Sequence, residues 1–178
     1  MQMKKLMTFL FALGLLAFSG SNVLLAQASQ NVTFSVNLLE WYDLYMANTT
    51  ITFTDQAPAI QNPPPAVNIA SNENPVAVRV FALVLPSDSL RLTTTANGNL
   101  TKGTGNDINI NAISWTVADG AGFVAGTLQN GSAVDAGSWT ASAFHWHQGG
   151  FNFVFARNYQ TQEPGTYTAT VTYTLSKV

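Results

Sequence analysis

From Thr166 to Leu175 threonine occupies every second position, and Tyr167, Ala169, Val171, Tyr173 and Leu175 fill the gaps. In an extended chain successive side chains leave opposite faces, so the five threonines line one side and the apolar set the other. A helix of 3.6 residues per turn would scatter both sets around its surface, and only a half-buried strand sorts them cleanly. β-branched and aromatic residues also suit a pleated surface. The pattern predicts one long antiparallel strand opening at the Pro164-Gly165 turn, with a solvated threonine face.

The same rhythm recurs along the chain. Val32, Phe34, Val36 and Leu38 alternate with Thr33, Ser35 and Asn37, Ile51 and Phe53 alternate with threonines, and Phe151, Phe153 and Phe155 follow the Gly149-Gly150 pair, read as a turn. Leu90 to Thr95 and Ile108 to Ala118 read as further strands. Val76 to Leu85 is apolar on both faces apart from Arg79, which predicts a strand central to the fold or covered by a partner. Clusters such as Asn97-Gly98-Asn99 and Asn130-Gly131 separate these runs, and no helical period interrupts them. The expected fold is all-β, a single antiparallel β-sandwich of the immunoglobulin-like or pilin-like Greek-key kind. Pro63 to Pro65 is too short to separate two domains.

The first residues have a different character. Lys4 and Lys5 precede an apolar run from Leu6 to Phe18, and Ala26-Gln27-Ala28 follows. A basic start, a short apolar stretch and an A-x-A site in that order make a secretory signal peptide, expected to be cleaved after Ala28. The run falls short of the roughly 20 apolar residues needed to span a bilayer, and no transmembrane segment is expected after it. Residues 1–28 are thus read as a leader and residues 29–178 as the β-sandwich domain of a secreted or cell-surface protein that passes through the periplasm if the envelope has one. The absence of cysteine excludes a lipidated N-terminus and any disulfide, leaving packing and strand ladders to hold the domain. Without Lys4 and Lys5, five basic residues stand against nine acidic ones. With no Lys/Arg cluster, nucleic acid is not an expected partner.

Little in this composition can do acid–base work. His145 and His147 flank Trp146, and positions i and i+2 of a strand share a face, so both imidazoles could reach one metal ion. No cysteine and no nearby acid completes a ligand set, so they are weak metal candidates; no cofactor is expected. Glu40 and Asp43 sit among Trp41, Tyr42 and Tyr45, a neighbourhood compatible with sugar. The plainer reading is a strand–turn–strand whose aromatics fill the core. Asp107 and Asp119 lie in glycine-rich turns without the spacing of a calcium loop. No G-x-S-x-G element is present, and the protein is not expected to be an enzyme.

The segment from Pro164 to Leu175 resembles the closing strand of bacterial surface β-sandwich domains: fimbrial subunits, spore-coat-U-like proteins and WxL-type domains. The cysteine pair usual in the first two groups is absent, and Trp41-Tyr42-Asp43-Leu44 is not a W-x-L element. What the resemblance implies is a structural or interaction protein, such as a fimbrial, coat or matrix subunit, that self-associates or binds another surface protein. Val32, Phe34, Val36 and Leu38 have the alternation a donated strand needs. The alternative expectation is a glycan- or other ligand-binding module using exposed aromatics among Trp41, Tyr42, Trp139 and Trp146.

Overall fold

In the computed structural model the described residues are 32–56 and 62–178, so the expected leader lies outside them. The chain divides after Asn37, and the sandwich is built from residues 38–178. Its strands are β1 (Trp41–Met46), β2 (Val67–Ala70), β3 (Val76–Leu83), β4 (Leu90–Ala96), β5 (Ile113–Asp119), β6 (Gly126–Thr127), β7 (Val134–Trp139), β8 (Phe144–Arg157) and β9 (Val171–Lys177), with one 3-10 turn at Ile110–Ala112. Every strand pairing is antiparallel. One sheet has the order β1-β3-β8-β5-β6, with β2 also paired to β8, and the other has the order β7-β4-β9. The expected all-β, two-sheet sandwich is what forms.

The core lies between the two inner faces. β3 contributes Val76, Val78, Val80 and Ala82, all fully buried, and β4 contributes Leu90, Leu92 and Ala96. Trp115, Phe151 and Phe153 fill the middle. Both buried tryptophans satisfy their indole N–H on one loop: Trp115 donates to the Val124 carbonyl at 2.7 Å and Trp139 to that of Ala121 at 3.0 Å. This bond lets a large ring bury without orphaning a donor.

Several expected elements have different limits. The last strand begins at Val171 rather than beside the Pro164-Gly165 turn; ahead of it only Thr168 pairs, with Thr101, in an isolated bridge. The threonines of the alternating run are exposed, as their periodicity requires. Gly149-Gly150 is no turn, because β8 runs through both. A Cβ on Gly149 would lie 2.6 Å from the Asp119 carbonyl oxygen and from the Phe123 ring, so glycine is needed there for close approach of chains. Leu38 to Tyr45 is not a hairpin, since β1 is continuous and turns Trp41 and Tyr45 outward. Ile51 and Phe53 pack on the core without belonging to a strand.

Residues 32–40 carry no strand either. Phe34 is 88 % exposed, and Val32, Val36 and Leu38 are exposed with it. Among the described residues the predicted N-terminal strand is unpaired, and the first strand is β1.

Candidate functional site

β3 is internal, as its double-sided apolar pattern predicts, but only one of its faces is covered. The even-numbered residues enter the core, while Ala77, Arg79, Phe81 and Leu83 point outward. The antiparallel register places Trp41 opposite Leu83, Asp43 opposite Phe81 and Tyr45 opposite Arg79 on one side. On the other side Leu83 faces Phe144, Phe81 faces Trp146 and Arg79 faces Gln148. The result is a grid of three rows across three strands: Trp41-Leu83-Phe144, Asp43-Phe81-Trp146 and Tyr45-Arg79-Gln148.

Phe81 is the hub of this face. Its ring centroid lies 5.4 Å from Trp41, 5.7 Å from Phe144 and 6.1 Å from Trp146, each pair crossing nearly at right angles. Such edge-to-face contacts are favoured by the ring quadrupoles. The outer rings stay open: Trp41 is 61 %, Phe144 57 % and Trp146 51 % exposed. Arg79 lies over the Tyr45 ring, 5.1 Å from its centroid. Of the four aromatics singled out for ligand contact, Trp41 and Trp146 are brought together on this face. Trp139 is buried, and Tyr42 turns inward, its hydroxyl donating to Glu40. Phe81, Phe144 and Tyr45 complete the face. The signal for them was present in the even spacing of Trp41 with Tyr45, Phe81 with Leu83 and Phe144 with Trp146, but it says nothing of which side is covered.

His145 and His147 lie on the opposite, inner face of β8, across from Ala82 and Val80. His145 Nδ1 and His147 Nε2 are 3.2 Å apart, a hydrogen bond in which one ring nitrogen donates and the other accepts. His147 is stacked on Trp139 with centroids 4.6 Å apart and planes 12° apart. Burial, and secondly the charge of His145, hold the His147 imidazole below its ordinary value. His145 Nε2 is buried without a hydrogen bond. Among the described residues no group of three or more His, Asp or Glu side chains gathers where it could hold a metal ion. The pair can offer two ring nitrogens, and among the described residues no third ligand stands beside it.

A second open feature lies at one side of the sandwich, where β1 and β9 end their respective sheets. The Lys177–Glu40 ion pair, 2.6 Å, ties β9 beside the start of β1. The inward residues Tyr42, Leu44 and Met46 of β1 and Val171, Tyr173 and Leu175 of β9 are only partly buried. A hollow of about 280 Å³ near the start of β9 is lined by Asn97, Asn99, Thr101, Thr168 and Thr170, none of them titratable. Among the described residues no helix is long and apolar enough to cross a membrane.

No family model matches this chain, and it matches neither the curated proteins nor the solved structures with which it was compared.

Proposed function

We propose that this is an exported, non-catalytic structural or interaction protein of the cell surface, whose copies assemble by strand addition. The observation that carries the reading is the exposed run Val32-Phe34-Val36-Leu38, unpaired among the described residues, whose alternation is that of a strand with one apolar face. What it would pair with is supported by the free side of β9. That strand has seven residues, equal to the span from Val32 to Leu38, and ends its sheet. A strand added there gains main-chain bonds over about 23 Å. Its apolar side chains would cover the half-open inner residues of β1 and β9. A free edge of this kind invites pairing unless something blunts it. Secretion fits the leader signature and the cysteine-free, charge-poor composition.

The test compares the secreted protein with a form lacking residues 29–38, by size-exclusion chromatography and electron microscopy. Oligomers of the intact protein and a folded monomer of the truncated form are expected. A strictly monomeric intact protein, or one that unfolds without the segment, overturns the reading.

A further inference from the structure

We propose that the outer face of β1, β3 and β8 is a binding site for neutral polysaccharide, with pyranose rings stacking on Trp41, Phe144 and Trp146. This site goes beyond assembly through Val32 to Leu38 and does not depend on it.

Size selects a ligand of this scale. The grid has nine side chains in three rows, whereas a stable interface between proteins takes about 20–30 residues a side. By itself it falls short of such an interface, and its span suits two or three sugar residues. The kind of side chain points the same way. The face is built from rings, and the π-face of each carries the negative end of a quadrupole. Pyranoses with equatorial substituents present a flat layer of weakly positive axial C–H groups, which such a face attracts. None of the three outer rings is stacked face to face on a neighbour, so each keeps a face to offer.

Spacing gives the direction. Trp41 and Phe144 share a row with Leu83 between them, so they stand two strand spacings apart, about 10 Å, close to the length of two residues of an extended β-linked chain. Such a chain would lie across the strands. The aromatics stand on paired strands, so little ordering is lost on binding.

Charge disfavours anionic polymers. The face carries one anion, Asp43, and one cation, Arg79. Among the described residues neither forms an ion pair. Among the described residues Gln148 makes no side-chain hydrogen bond either, leaving a carboxylate and a carboxamide open beside the rings, while the guanidinium over Tyr45 keeps its N–H donors. Hydroxyl groups both donate and accept and can use all three. An anionic polymer would meet Asp43 with no basic cluster to offset it.

The experiment is retention of the secreted protein on insoluble cellulose and chitin and in xylan gels, with alginate and heparin as anionic comparators. Trp41→Ala, Trp146→Ala and Thr172→Ala, the last on the outer face of the other sheet, are run beside it. Retention on at least one neutral polysaccharide is expected, weakened by about tenfold for each tryptophan variant and unchanged for Thr172→Ala. The form lacking residues 29–38 should bind as well as the intact chain, which separates this site from assembly. A measurement on the unmodified protein guards against misfolded variants: the soluble hexaose of the retaining polysaccharide (cello-, chito- or xylohexaose) should protect tryptophan fluorescence from acrylamide. Retention on no neutral polysaccharide, retention only on the anionic ones, equal binding by the tryptophan variants, or no protection by any of the three hexaoses overturns the proposal.

Discussion

The side chain of Asn74 stands in for a peptide group opposite Phe153. Its Nδ2 donates to the Phe153 carbonyl at 2.9 Å and its Oδ1 accepts from the Phe153 N–H at 2.8 Å. β2 and β3 lie end to end along β8, and this contact sits in the break between them, where no strand supplies the ladder. Ser71 supports it, its hydroxyl donating to Asn74 Oδ1 at 2.6 Å. In Asn74→Ala the Phe153 carbonyl still accepts from the Ser71 N–H, but the Phe153 N–H loses its partner. The expected loss of stability is about 1–3 kcal/mol, read from the urea midpoint. Asn72→Ala, which removes exposed bonds to the Thr52 and Thr54 hydroxyls, should cost under about 1 kcal/mol.

Gly149 makes a second stability test. Gly149→Ala forces a methyl against the Asp119 carbonyl and the Phe123 ring, two groups that cannot both yield. A destabilisation of about 1–3 kcal/mol is expected, as for overpacking in a well-filled interior. At Gly98, where a Cβ meets nothing within 4 Å, the same change should be close to neutral. Thermal unfolding of the two variants side by side decides the point.

Acid should weaken the fold through His147. The ordinary imidazole value is 6.5, and burial holds the folded group below it. Between the two values the unfolded chain binds more protons, so stability is complete above about pH 6.5 and falls as the pH drops below it. The fall ends once the folded imidazole itself titrates. Glu73, held down by hydrogen bonds from Thr52, and Asp135, held down by Arg91, belong to a separate and more acidic window. Urea midpoints from pH 8 to 5 should be level at first and then decline, with a shallower decline in His147→Gln. A midpoint that stays level to pH 5 in the unmodified protein contradicts this.

Assembly should be separable from folding at Phe34. Its side chain is exposed, so Phe34→Asp removes no buried contact of the described structure and should leave the thermal midpoint within about 2 °C, as for a neutral surface change. A carboxylate facing an apolar groove is strongly disfavoured, so sedimentation velocity should show the variant as monomer at concentrations where the parent associates.

The strands that could be read from sequence were those whose pairing follows from local pattern. Leu90 to Ala96 and Val76 to Leu83 appear close to where alternation and double-sided apolarity put them. At Gly149-Gly150 a glycine pair signals a turn and a close approach equally well, and only the presence of Asp119 and Phe123 distinguishes them. The Asn74–Phe153 contact joins residues far apart in sequence and had no local signature. The candidate face is half legible: Trp41 and Trp146 stand out in the sequence, but Trp139 looks no different there, although the loop carbonyl of Ala121 holds it inside.

By itself the sequence determined that this chain alternates, and therefore that it builds sheets with one apolar and one wet face. It also determined that the fold has no disulfide, because no cysteine exists to make one. Which apolar face becomes core was decided only in three dimensions. Alternation tells two faces apart without ranking them, and where both are apolar, as along β3, the second sheet can cover just one. That sheet took the side of Val76, Val78, Val80 and Ala82, and Phe81 was left outside with Trp41, Phe144 and Trp146 around it.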